Sequence, residues 1–192
     1  MIALLLIVVI VLIIIFRPKY KNPEVIRGAL TDEECEYIKK RAEPLLEKST
    51  LSDNNFINTE IRDSETAWLG PEDQRIHDIF LRFMNESDNC ENVQVVRYKP
   101  GGFYKPHQDA DSNHVNRRKH TFIFALNDEY EGGATSFPVL GKTYRMRKGD
   151  ALSFDTLDSW GRVPKRAKHG GEPVESGEKW IANLWSRQSR VA

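Results

Sequence analysis

The chain opens on a run with no polar position at all. Residues 1 to 16, MIALLLIVVIVLIIIF, carry no charged or hydrogen-bonding side chain, and Arg17, Pro18, Lys19 and Lys21 follow at once. As a helix rising ~1.5 Å per residue the run covers ~24 Å, short of the ~30 Å hydrocarbon core by an amount that flanking residues and local thinning absorb. A soluble core helix would show polar positions on one face. A cleaved signal peptide would show a basic leader and a small-residue cleavage site. Neither is present, so residues 1–17 read as a single transmembrane anchor, 18–23 as a linker and 24–192 as the folded domain. The basic residues that follow the span place that domain on the cytoplasmic side, whereas the glycosylation triplet Asn85-Glu86-Ser87 argues for the opposite face.

Beyond the linker the period becomes helical. TDEECEYIKKRAEPLLEK (31–48) starts with Thr31 and Glu34 at capping-box spacing, and Pro44 shortens or kinks the helix it predicts. PEDQRIHDIFLRFMNES (71–87) has Pro71 near its first turn and Ile76, Ile79, Phe80 and Phe83 on one stripe. Past residue 92 the pattern switches to short runs rich in valine, threonine and aromatics: VQVVRY, HTFIFAL, ATSFPV, TYRMR, DALSFD and KWIANLW, separated by glycine, proline and aspartate. Two helices followed by many strands predict an α+β domain, mainly β, whose strands form a sandwich or barrel with the helices on one side.

Composition adds little to this. Lys plus Arg and Asp plus Glu are balanced at 28 each, so no overall field favours nucleic acid as a partner. Cys35 and Cys90 lie in no metal-binding spacing and read as two buried thiols rather than one disulfide.

The chemistry is concentrated in YKPHQDAD, residues 104–111. If His107 and Asp109 lie on a regular strand they project from one face, toward one point. His169, at the start of another strand-like segment, supplies a third ligand. Two histidines and one carboxylate suit a non-haem Fe(II) oxygenase, and zinc accepts the same set. Asp111 is a rival for Asp109, while His114 and His120 read as parts of a charged loop. On KWIANLW a regular strand would turn Lys179, Ile181, Asn183 and Trp185 to one face; a cation there is costly unless it meets an anion, and an acid cosubstrate would supply one.

With VVRYKPGGFYKPHQD, EGGATSFP, KGDALSFDTLDSWGR and HGGEPVESGEKWIANLW in view, the sequence from about residue 24 resembles the prolyl 4-hydroxylase catalytic domain of the 2-oxoglutarate and Fe(II)-dependent dioxygenases. The resemblance implies a double-stranded β-helix, of the jelly-roll or cupin kind, with flanking N-terminal helices. It implies Fe(II) on His107, Asp109 and His169, the far carboxylate of 2-oxoglutarate on Lys179 with help from Tyr98, and a peptide groove lined by Tyr104, Arg118 and Trp185. L-ascorbate is implied as the reductant, a proline-containing peptide as the substrate, and the lumen of the endoplasmic reticulum or Golgi as the location. Gly102 and Glu172 depart from residues common in the family. Relatives acting on lysyl residues or alkylated nucleobases generally hold the cosubstrate with arginine, so Lys179 speaks against both. A catalytically silent, membrane-tethered binding module would have lost a ligand, and none is missing.

Overall fold

The computed structural model describes residues 17–51, 56–84, 89–110 and 116–188. The apolar run 1–16, the triplet Asn85-Glu86-Ser87, Asp111 and His114 lie outside them. Among the described residues no helix is long and apolar enough to cross a membrane.

In chain order the elements are β1 (Glu24–Ile26), α1 (Asp32–Ala42), β2 (Glu47–Lys48), β3 (Arg62–Asp63), β4 (Glu65–Leu69), α2 (Gln74–Leu81), β5 (Asn89–Cys90), β6 (Val93–Tyr98), β7 (Phe103–His107), β8 (Arg118–Ala125), β9 (Tyr130–Gly132), β10 (Thr135–Phe137), β11 (Lys142–Tyr144), β12 (Ala151–Asp155), β13 (His169–Gly171), β14 (Val174–Gly177) and β15 (Lys179–Arg187). The larger sheet runs β1-β12-β8-β15-β6-β4-β2, with β5 beside β15, and the second runs β11-β10-β13-β7-β3. A third, two-stranded sheet pairs β14 with β9. A mainly β fold with few helices, its two larger sheets sharing a core, is consistent with a double-stranded β-helix.

Both helices are shorter than their patterns predict, for local reasons. Thr31 Oγ1 accepts the Glu34 N–H at 3.2 Å and the Glu34 carboxylate accepts the Thr31 N–H at 2.8 Å, closing the capping box. The helix then stops at Ala42 and Pro44 falls in a 3-10 turn, Glu43–Leu45. In α2 the N-cap is Asp73, which accepts the Ile76 N–H at 3.2 Å, so Pro71 lies before the helix and outside its first turn. Strands β1 to β5 precede residue 92, where the sequence pattern had shown none.

Alternation along the central strands builds two cores from one sheet. Val93 and Val95 of β6, Phe124 of β8 and Ala182 and Leu184 of β15 pack on the helices with Ile38, Ile76 and Phe80. Val96 and Tyr98, Ile123 and Ala125, and Ile181 face the second sheet with Phe137 and Phe154. The expected strand TYRMR ends at Tyr144, because Arg145 turns back to the backbone carbonyls of Gly132 and Tyr130. Cys35 is a buried cysteine and Cys90 a half-buried one.

Candidate active site

Strands β7 and β13 are antiparallel neighbours, and His107, the last residue of one, pairs directly with His169, the first of the other. Strand pairing therefore brings the two imidazoles together across 62 residues of sequence. Asp109 does not share a strand with His107, as the sequence reading had assumed. The strand ends at His107 and Asp109 sits in the bend beyond. Its Oδ1 still lies 3.4 Å from His107 Nε2 and 3.7 Å from His169 Nε2.

The donor set fits a metal ion. Ligand atoms of the three side chains all lie within 4.8 Å of one another. Ligands held ~2.0–2.2 Å from one ion at right angles would stand roughly 3 Å apart, so a small contraction completes the site. The ring orientations are already set. In the tautomer that frees Nε2, His107 Nδ1–H donates to the Lys105 carbonyl at 2.9 Å and His169 Nδ1–H to the Ala167 carbonyl at 3.1 Å. The other carboxylate oxygen, Asp109 Oδ2, accepts from Thr121 Oγ1–H at 2.7 Å and from the Trp185 indole N–H at 3.1 Å, leaving Oδ1 alone to face the histidines.

Protonation also suits metal binding. Burial pushes His169 down to about 4, so the ring is neutral at physiological pH. Burial alone would raise the Asp109 carboxyl, but the adjacent His169 and His107 rings, with Arg118 further off, hold it well below the usual carboxylate range.

Lys179 begins β15 and pairs in register with Tyr98 of β6, which puts its ammonium 5.4 Å from the phenol ring. Burial and the nearby charge of Arg145 lower Lys179 from 10.5 to about 8, with Glu172 opposing. Asp109, His107, His169, Lys179, Tyr98, Tyr104, Arg118 and Trp185 all border one cavity of about 810 Å³. Two buried acceptors on its wall, Gln108 Oε1 and Asn183 Oδ1, have no donor among the described residues.

The aromatic and cationic residues do more than line a groove. Arg118 donates two hydrogen bonds to Glu91, at 2.6 and 2.7 Å, and its guanidinium lies 3.6 Å over the Trp185 ring. Trp185 in turn spends its N–H on Asp109. Thr121 and Glu91 escaped the sequence reading; Thr121 was visible only as an alternate position in HTFIFAL once that strand's inward face is known. His120 is corrected: it belongs to β8 and not to a charged loop. It pairs across the ladder with Asp155, bonding that carboxylate at 2.7 Å through Nδ1 and Ser153 Oγ at 2.9 Å through Nε2, on the strand face opposite Thr121.

A two-histidine, one-carboxylate cluster opening on a cavity with a buried lysine, in a mainly β fold, has the donor set and setting of a non-haem Fe(II) oxygenase. Residues 93–187 match the model of the 2OG-Fe(II) oxygenase superfamily. Prolyl 4-hydroxylase 1 of Arabidopsis thaliana is 35% identical over 196 residues, covering 88% of this chain and 69% of that one. A putative prolyl 4-hydroxylase of Acanthamoeba polyphaga mimivirus is 33% identical, covering 90% and 77%. The viral collagen prolyl hydroxylase of Paramecium bursaria Chlorella virus-1, in its 2OG complex, superposes with a TM-score of 0.71 at 34% identity, covering 89% of this chain and 97% of that one. The chain belongs to the prolyl 4-hydroxylase family of that superfamily and is a 2-oxoglutarate-dependent dioxygenase using Fe(II).

Proposed function

We propose that the protein hydroxylates peptidyl proline at C4, with Fe(II) on His107, Asp109 and His169 and the far carboxylate of 2-oxoglutarate on Lys179. One observation carries this reading: the three donors and the paired Lys179 and Tyr98 border a single cavity. When bound, Fe(II) and 2-oxoglutarate supply the oxidising chemistry, in which one atom of dioxygen leaves in succinate, with CO2, and the other enters the substrate C–H bond. The chain's share is to bind, orient and exclude water. Asp109 stays ionised and His169 neutral, so both present lone pairs to the ion. Thr121 and Trp185 keep Asp109 to one coordinating oxygen. Lys179, itself buried, would meet the far carboxylate at the wall of the cavity. Tyr104, Arg118 and Trp185 border the space left for a peptide, and L-ascorbate would return iron to Fe(II) after uncoupled turnovers.

We further read residues 1–17 as a membrane anchor, 18–23 as a linker and 24–192 as the catalytic domain, with the lumen of the endoplasmic reticulum or Golgi as its location. The support for the anchor is the uninterrupted apolar run that ends in basic residues; the support for the lumenal face is the family resemblance and the triplet Asn85-Glu86-Ser87, whereas the basic residues favour the cytoplasmic face. Mass spectrometry of proline-rich peptides incubated with the protein, Fe(II), ascorbate and 2-oxoglutarate tests the activity. Hydroxyproline in the presence of all components is the expected product; modification of lysine alone would overturn the substrate assignment. Resistance to alkaline extraction from membranes, lost when the chain starts at Lys21, tests the anchor.

A further inference from the structure

We propose that Arg62 is a positioning residue which, acting through Tyr104, fixes the plane of the His107 imidazole. This rests on the metal-centre reading above. Arg62 is 7% exposed, yet among the described residues no carboxylate lies within ion-pair distance of its guanidinium. A buried cation without an anion is costly, so its other contacts must hold it. Nε–H donates to Ser64 Oγ at 2.9 Å and an Nη2 hydrogen to Thr66 Oγ1 at 3.2 Å. Ser49 ties those two hydroxyls together at 2.7 and 2.6 Å. Two aromatic residues complete its surroundings: the Tyr98 hydroxyl, in hydrogen-bonding reach of the guanidinium, and the Tyr104 ring, whose centroid lies 4.8 Å from the guanidinium carbon.

The fold places these groups in a stack. Arg62 of β3 is the cross-strand partner of Tyr104 of β7. Tyr104 and His107 are three apart and would point to opposite faces of a regular strand. They do not, because β7 advances three residues, Tyr104 to His107, while β13 advances two, Gly171 to His169. The extra residue is a bulge that returns His107 to the face of Tyr104. Gly170 sits opposite it, where a Cβ would stand 2.8 Å from the Tyr104 carbonyl oxygen and 3.0 Å from Pro106 N. The Tyr104 and His107 rings consequently stack at 3.6 Å with 18° between their planes. The Lys105 carbonyl fixes which nitrogen of His107 faces the metal site; the Arg62–Tyr104 stack fixes the tilt of the ring about that hydrogen bond.

Calorimetric titration of the full chain with Co(II) tests the idea without turnover. Outer partners of metal-binding histidines are typically worth 10–100-fold in affinity. Arg62→Met and Tyr104→Leu should each weaken Co(II) binding by about that factor, Tyr104→Phe should bind as the parent does, and the double variant should be no weaker than the worse single one. Near-UV circular dichroism checks folding; if Arg62→Met is unfolded, Arg62→Lys, which keeps charge but not the planar stack, is read the same way. Parent-like Co(II) affinity in a folded Arg62 variant, or additive losses in the double variant, overturns the proposal. A raised 2-oxoglutarate KM with unchanged Co(II) affinity overturns it too, since Arg62 would then serve the cosubstrate. Co(II) binding that survives His169→Ala would instead sink the metal-centre reading itself.

Discussion

Lys179→Ala should weaken 2-oxoglutarate by one to two orders of magnitude while leaving metal affinity unchanged. Charge-assisted pairing in a desolvated pocket contributes ~1.5–3 kcal/mol. The structure supplies an independent figure. Lowering Lys179 from 10.5 to about 8 corresponds to roughly 3 kcal/mol of penalty on the charged form, from burial first and from the charge of Arg145 second. A carboxylate that restores the ordinary value would recover up to that amount, about two decades in affinity. The sign then fixes a pH dependence. The free lysine titrates near 8 and the bound one higher, so binding is strongest below pH 8, weakens as pH rises through that value, and takes up a proton over that window. Titration calorimetry in buffers of different ionisation enthalpy, between pH 7 and 9.5, reads both affinity and proton uptake. Lys179→Ala should abolish the uptake, and Lys179→Arg need not restore affinity because a planar fork meets the carboxylate at another depth. Unchanged affinity in Lys179→Ala, or a pH profile that the substitution leaves intact, would refute the reasoning.

Thr121→Val and Trp185→Phe each remove a donor to Asp109 Oδ2 and should lower Co(II) affinity 10–100-fold, read by the same calorimetry, with near-UV dichroism intact. Gly170→Ala drives a Cβ into the backbone of the β7 bulge, and thermal unfolding should show a loss of about 1–3 kcal/mol. Asp109→Ala should abolish turnover in a folded protein; retained hydroxylation would direct the search for the carboxylate ligand to Asp111. Thr31→Ala removes the cap of α1 and should cost ~1 kcal/mol in denaturant unfolding with no effect on 2-oxoglutarate KM.

His107, Asp109 and His169 could be read as candidate metal donors, and Lys179 as a cation facing them, from residue types and spacing, Tyr98 only from the family resemblance, and alternation on KWIANLW turns Lys179, Ile181, Asn183 and Trp185 to the cavity. What alternation could not show was where strands end or slip. Asp109 lies past the end of β7, and the bulge between Tyr104 and His107 depends on Gly170, 63 residues further along the chain than His107. Arg62 was hidden for another reason: β3 is two residues long and has no period to read. Its burial follows from the cross-strand position opposite Tyr104 and from hydroxyls that gather only in the fold. His120 misled because RRKH reads as a charged run, whereas pairing with β12 gives each ring nitrogen a partner. Helix ends shifted where a local group outbid the pattern, Asp73 as cap and Pro44 as stop.

Turnover of a proline-rich peptide under isotopically labelled dioxygen tests peptidyl-proline hydroxylation most directly. One labelled atom should appear in succinate and one in 4-hydroxyproline, in equal amounts, and His169→Ala should place label in neither. Label in succinate with the prolines unmodified and the hydroxyl on another residue type would contradict it.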